Sequence, residues 1–442
     1  MKYQELTDSY RRCAGSIQIR LWLPGLLAGF LACQAVASPA SQSTENPPPA
    51  TDEASQQEIT GQSENAEQRQ RLATTQINSL LVDKEIPLIG GRWGGDLFVD
   101  IPLNKEPDDA SVTLRRAKLK YSRTLTKNWK LKLSAAYYMN VGLEIDDSYF
   151  VYKGWSRALV TIGVTDPPFS LESASNAAGQ TFMERGLAVV ALSEQKGGGF
   201  TFLKRTPNSI LNAAVTFFTP HQDNKREAGQ ALILHYVHSP INLRGRDNIH
   251  LGGSFSYRVN TDGNSTRFRS RPEIATTEQY FVDTGTVDGA NTIIRASLEA
   301  SRVNGRLSWQ TELLSTQVKR DGFDSVFFWG AYAYLSWFLT DDSRNYNSGT
   351  GLYDPLTPKS PLFKGGRGAF ELAFRASYVD LTDKDIIGGE ESNLSLGFNW
   401  YLNYKLRLMT NVIKVLDVKR PGSEYDGQSP LIFAIRAQWL MK

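Results

Sequence analysis

The chain has 442 residues, 41% of them hydrophobic, a formal net charge of +3 and a mean hydropathy of −0.34. That balance excludes a polytopic helical membrane protein, which needs repeated apolar runs of about 20 residues. It does not exclude a transmembrane β-barrel, whose polar lumen and loops dilute its apolar face and whose size can absorb the whole length in one domain.

The first predicted element is a leader. Arg11, Arg12 and Arg20 precede an apolar run, Leu21 to Ala32, which ends in Ala35-Val36-Ala37 before Ser38. A basic region, a short apolar core and an A-x-A site describe a secretory signal peptide over residues 1–37. Its removal takes away four basic and two acidic residues and both cysteines, Cys13 and Cys33. The mature chain is then near neutral, without a disulfide or a thiolate for catalysis or metal binding.

Residues 38–88 follow as a flexible periplasmic segment. They are rich in Ser, Gln, Glu and Pro and bury little, although Leu72, Ile77, Leu80 and Leu81 admit one short helix.

From about Arg92 the pattern changes to a β-barrel over residues 89–442. Leu131, Leu133, Ala135 and Tyr137 alternate with polar neighbours, as do Leu211 to Phe217, Ile249 to Tyr257 and Leu394 to Trp400. A period of two sustained over eight to ten residues gives a strand with one apolar and one polar face, long enough to cross a bilayer when tilted. Val326 to Leu339, the most apolar run, reads as a strand interrupted by Gly330. The turns agree: Asn304-Gly305 is a strong hairpin signal, Asp341-Asp342 ends a strand, and Asn403 sits between two more. Longer polar stretches lie around 260–290 and 341–366.

A soluble sandwich shows the same alternation. The signal peptide, the aromatic residues near strand ends (Tyr137-Tyr138, Phe217-Phe218, Trp337-Phe338, Trp400-Tyr401) and the amphipathic final strand through Phe433, Ile435, Ala437 and Trp439 favour the membrane. About 16 antiparallel strands are expected, with both termini on the periplasmic side.

With each apolar face assigned to lipid, the other face lines a lumen. Twelve basic residues then point inward: Arg116, Lys118, Lys120, Lys130, Lys132, Arg258, Arg295, Arg306, Arg375, Lys405, Arg407 and Arg436. The acids are Asp96, Asp100, Glu299, Glu312 and Glu371. Arg116, Lys118 and Lys120 share one face at about 6.6 Å per step. Such a ladder offers an anion successive weak stations, with guanidinium forking a phosphate and ammonium acting as a point charge. The bland reading is a generic polar lining.

No HExxH or CxxC occurs. Of the four histidines (His221, His235, His238 and His250), the pair three apart falls on opposite strand faces, so no metal site and no cofactor is expected. Ser256 and His250 share a face but stand roughly 20 Å apart along a strand, too far for a hydrolase constellation. An adhesive barrel would show a fused passenger domain or larger loops. No feature points to a nucleic-acid partner.

Five segments in order resemble the phosphate-selective porin O and P family: Arg115-Arg116-Ala117-Lys118-Leu119; Gly163 through Pro168-Phe169-Ser170-Leu171-Glu172; Thr181-Phe182-Met183-Glu184-Arg185; Trp337-Phe338-Leu339-Thr340; and Gly397 to Asn403 with Asn411. The resemblance spans roughly residues 90–439. It implies a 16-stranded, homotrimeric porin in the outer membrane of a Gram-negative bacterium, in contact with outer-membrane lipid, with a lumenal Arg/Lys ladder and an inward-folded constriction loop. Residues 166–185 match the region that supplies that loop, placing Asp166, Phe169, Glu172, Glu184 and Arg185 at the constriction. Arg116, Lys118, Lys120, Lys130, Lys132, Arg295, Arg375 and Arg407 are the expected pore-lining residues for small anions such as phosphate or polyphosphate. A general diffusion porin for small polar solutes is the alternative. Asp166 departs from the family, which usually has a lysine there.

Overall fold

A computed structural model describes residues 90–441 apart from 104–111, 140, 219–228, 244–246 and 261–264. The expected signal peptide and periplasmic segment lie outside the described residues.

Sixteen strands close into an antiparallel barrel. In chain order they are β1 (Arg92–Pro102), β2 (Thr113–Thr124), β3 (Trp129–Tyr138), β4 (two runs, Gly142–Ile145 and Ser148–Tyr152, on the same neighbour), β5 (Leu159–Thr165), β6 (Gly197–Arg205), β7 (Ser209–Phe218), β8 (Gly229–His238), β9 (Asp247–Asn260), β10 (Ala290–Asn304), β11 (Leu307–Arg320), β12 (Val326–Phe338), β13 (Ala369–Asp383), β14 (Ile386–Tyr401), β15 (Leu406–Lys419) and β16 (Leu431–Met441). Each pairs with the next, and β1 closes on β16 from Gly95↔Met441 to Pro102↔Ala434, leaving no free sheet edge.

The alternation has its expected sense. On β12, Phe327, Trp329, Leu335 and Trp337 are exposed on the outer surface, while Phe328, Tyr332, Tyr334 and Ser336 on the other face are buried. Hydrocarbon tolerates this outer row because every backbone group is paired along the ladder. The Asn304-Gly305 hairpin forms with Gly305 at φ +58, a left-handed conformation that glycine adopts freely. Asn403 makes its turn by accepting the Lys405 and Leu406 backbone N–H groups at 2.6 and 2.9 Å.

Three segments fold into the barrel. Residues 166–196, between β5 and β6, carry the four-residue α1 (Leu171–Ala174) and the six-residue α2 (Leu187–Leu192). Residues 265–288, between β9 and β10, form two small ladders. Residues 339–368, between β12 and β13, form the hairpin Asn345–Asn347 with Leu352–Asp354. The last two coincide with the polar stretches of the sequence. They bring Phe268, Phe281, Val282, Tyr346 and Tyr353 into the interior.

The lumen therefore contains a hydrophobic core. Leu187, Ala188, Val189, Ala191 and Leu192 of α2 pack with Phe328 and Tyr332 on the inner face of β12, and with Phe268 and Val282 from the second insert. The run Val326 to Phe338 is apolar on both faces because one meets lipid and the other meets this core.

A candidate permeation pathway

The inserts fill one side of the barrel and leave a cavity of about 650 Å³ against β1–β4. Its outer wall carries Arg116, Lys118 and Lys120 of β2 and Lys132 of β3. Its inner wall is the first insert, from Asp166 and Pro167 through Ser173–Ala177, Gln180 and Met183–Arg185 to Val189, Val190 and Ser193–Lys196. Arg271, Glu273 and Asp354 reach it from the other two inserts.

The expected ladder residues are gathered here, but none stands bare. Arg116 donates to Asp96 at 2.7 Å, and Lys120 lies 3.2 Å from the other oxygen of the same carboxylate. Lys118 bonds Asp146 and lies 3.4 Å from Asp147; Lys132 reaches Asp147 at 3.0 Å and the Tyr149 hydroxyl at 3.2 Å. Asp146 and Asp147 interrupt β4 and turn their carboxylates inward. Lys118 and Lys196 neutralise Asp146, while Lys118, Lys132 and Lys196 surround Asp147. Among the described residues, nine basic and eight acidic side chains line the cavity, so the excess of cations on the strands is nearly cancelled by loop carboxylates. Lys130 shares a strand face with Lys132 but does not line the cavity.

The sequence reading makes Arg295, Arg375 and Arg407 pore-lining contributors from other strands. They are instead buried, at 1%, 0% and 3% exposure, beneath the inserts. The physical reason is a shortage of donors: an irregular segment inside a barrel carries backbone carbonyls and carboxylates that must be hydrogen-bonded. Arg407 donates to Gln180 O at 2.6 Å and Thr181 O at 3.0 Å. Arg375 donates to Glu184 O at 3.0 Å and pairs with Glu273 at 2.8 Å. Arg295 meets Glu194 at 2.8 Å, where Arg258 and Ser256 also converge. These arginines anchor the inserts.

The loop residues divide in the same way. Asp166, Glu184 and Arg185 line the cavity; Phe169 and Glu172 are buried behind it. Arg185 donates to the carbonyls of Glu172 and Ser173, folding the loop onto itself. Glu172 accepts Gly186 N–H at 2.9 Å, and burial raises its pKa despite Arg375 nearby. Burial acts the same way on Glu184, but Arg115 and Arg436 outweigh it and hold that carboxyl well below the usual range. The α1 end is pinned by Glu312, which accepts Leu171 N–H at 2.9 Å and Glu172 N–H at 2.8 Å, and by Ser254, whose hydroxyl accepts Ser170 N–H at 3.1 Å. These contacts hold Ser170 at φ +67, a conformation costing about 1–3 kcal/mol outside such a frame.

Sequence reasoning missed Asp146, Asp147, Glu194, Lys196 and Arg271. Only Arg271 carried a signal, the alternation Arg267, Arg269, Arg271 within a stretch read as loop. Arg269 and Arg271 lie over the Tyr280 ring at 3.9 and 4.2 Å. Ser256 and His250 do not meet. Ser256 donates to Glu194, while His250 bonds Glu299 and the Tyr346 hydroxyl, each at 2.9 Å. Among the described residues no group of three or more His, Cys, Asp or Glu is arranged to hold a metal ion.

The model of the family "Phosphate-selective porin O and P" matches residues 89–440. The chain belongs to this family. It is similar to Porin O of Pseudomonas aeruginosa, 24% identical over 374 residues that cover 75% of this chain and 83% of that protein. It is also similar to an uncharacterized protein of Caulobacter vibrioides, 31% identical over 196 residues, 42% of this chain, and spans only 36% of that protein's length. Among solved structures, a loop L8 deletion mutant of OmpT, an outer membrane protein of Vibrio cholerae, superposes with a TM-score of 0.52 at 10% identity. That match covers 79% of this chain and 98% of that one, and it shows the fold alone. The porin O and P membership and the closed barrel place the protein in the Gram-negative outer membrane as a porin.

Proposed function

We propose that this porin passes small anions, phosphate or polyphosphate among them, by passive diffusion through the cavity beside β2 and β3. The observation that carries the reading is the shared inward row of Arg116, Lys118 and Lys120, with Lys132 adjacent, along one wall of the open lumen. Arg185 and Arg271 add guanidinium groups from the opposite side. Guanidinium matches the forked geometry of a phosphoryl oxygen pair, and several weak stations in series permit release as well as entry. The names of the matching family and of the Pseudomonas relative support the same class of solute. The reading is of a channel, with no chemical step and no cofactor. Homotrimeric assembly belongs to the proposal through the family resemblance and is tested by chemical cross-linking of intact outer membranes.

The pairing of every ladder cation in the cavity with Asp96, Asp146 or Asp147 favours a second reading, a weakly selective porin for small polar solutes. Reversal potentials across a KCl gradient in planar bilayers decide between them. The first reading expects a potential on the anion side, inhibition of chloride current by added phosphate, and a shift towards cations in Arg116→Glu with Lys118→Glu. An unchanged potential in that double variant, with the barrel still folded, overturns it in favour of the second.

A further inference from the structure

Three lysines and three aspartates meet on the cavity wall. Lys196 Nζ lies 3.1 Å from Asp147 and 3.1 Å from Asp166 and also bonds Asp146. Asp146 and Asp147 continue to Lys118, and Asp147 to Lys132. Of the three lysines, Lys196 alone contacts all three carboxylates. It is also the last residue of the first insert, as Asp166 is the first, so this ion pair clasps both ends of the insert against the break in β4.

We propose that Lys196 is the residue that fixes the sign of ion preference in this channel. The inference deepens the anion reading above and rests on it. Lys118 and Lys132 are two ammonium groups facing three carboxylates, so without Lys196 this wall carries a net negative charge. Asp166 is the most open of the three carboxylates, with its side chain half exposed, and its ion pair among the described residues is with Lys196. A sphere of the cavity's volume is roughly 11 Å across, close to the screening length of about 8 Å at physiological salt. An uncompensated carboxylate is therefore felt by an ion throughout the cavity. The remainder of the lining cannot absorb it, because basic and acidic groups there are already close to balance.

The ladder alone does not predict this. By strand parity Arg116, Lys118 and Lys120 look like the source of selectivity, yet Asp96, Asp146 and Asp147 engage them. Lys196 enters from the insert, off any strand pattern, and tips the count. Burial weakens its charged form, but Asp166, Asp147 and Asp146 around it raise its pKa and keep it an ammonium at every pH a porin meets.

The test is the anion-to-cation permeability ratio of purified protein in planar bilayers, read from reversal potentials, with heat-modifiable gel migration confirming a folded barrel. Lys196→Met is expected to lower the ratio severalfold, to unity or below. Lys204→Met, which removes the same charge from an exposed position on β6 outside the cavity lining, is expected to leave it unchanged. Lys196→Met with Asp166→Asn restores the charge balance and is expected to bring the ratio back towards that of the wild type. A ratio unmoved in Lys196→Met overturns the inference. So does a double variant as displaced as the single one, since that pattern marks a purely structural clasp. A wild-type ratio at unity that still falls in Lys196→Met rejects the anion reading and retains the role of Lys196.

Discussion

Arg115 reaches Glu184 because β2 carries one residue more than the stretch of β1 opposite it. Phe98 pairs with Arg116 and Val99 with Leu114, which leaves Arg115 as the extra residue of a β-bulge. Strict alternation would send this side chain to the lipid face. The bulge turns it inward, where its Nε and Nη2 donate to the two Glu184 oxygens at 3.0 Å each. Arg436 takes Glu184 from the other side at 2.5 Å and holds Asp100 with a second fork, at 2.6 and 2.7 Å.

Removing one partner from this network leaves the others charged in a partly dry site. Glu184→Ala is therefore expected to weaken docking of the first insert by on the order of 3 kcal/mol. The change is read as larger and noisier single-channel conductance, with little effect on barrel assembly. A conductance trace indistinguishable from that of the wild type counts against the anchor.

Acid should loosen the same insert. A carboxylate with a depressed folded pKa stabilises the fold above its unfolded pKa and loses that contribution as pH falls through the folded value. Burial opposes ionisation of Glu194, but Arg295 and Arg258 push its pKa down to about 2 from 4.5. Its contribution is complete at neutral pH and fades between about pH 4.5 and pH 2. Glu184, held lower still by Arg115 and Arg436, fades at the bottom of that window or beyond it. Protection of residues 166–196 against hydrogen exchange, measured relative to the intrinsic rate at each pH, should hold down to about pH 5 and fall only below about pH 4.5.

Gly179 offers a probe of how two inserts meet. A methyl group there would lie 2.8 Å from the backbone of Tyr353 and Asp354, and the contact is with main chain that cannot swing aside. Gly179→Ala is expected to push the hairpin Leu352–Asp354 away from the first insert and to change conductance, since Leu352 and Asp354 line the cavity. The barrel's thermal transition should move little. An unaltered conductance would show that the hairpin yields without consequence for the pore.

The lumenal core should behave like the core of a soluble domain. Leu192 is fully buried among α2 and the inner faces of β11 to β13. Leu192→Ala is expected to cost about 2–5 kcal/mol through lost burial and a residual cavity, measured by denaturant unfolding in detergent. A loss below about 0.5 kcal/mol would mean that the helix floats in water.

The barrel was legible because strand alternation is local: Leu394 to Trp400 and Leu211 to Phe217 show their outward face without any knowledge of neighbours. The inward row Arg116, Lys118, Lys120 followed from the same rule. What stayed hidden depends on pairs distant in the chain. Arg407 and Gln180 are 227 residues apart, and Arg436 and Asp100 are 336 apart. No periodicity distinguishes a lumenal arginine that meets solutes from one that holds a loop carbonyl. The sequence reading takes Val326 to Leu339 simply as a strand, although its apolar pattern on both faces is the mark of a second buried surface. The apolar hexapeptide Leu187–Leu192 was the segment to match with it.

The off-centre filling has a mechanical corollary. Strands β9 to β15 are 13 to 16 residues long and are braced from within by the inserts, whereas β4 to β6 are short, and β4 is broken at Asp146-Asp147. The barrel wall is thus backed by packed inserts along one flank and built of shorter strands along the other, of which β4 borders the cavity. Lateral pressure from the bilayer should deform the shorter-stranded flank first. The pore's cross-section would then respond to membrane thickness and tension more than an evenly supported barrel of the same strand number would.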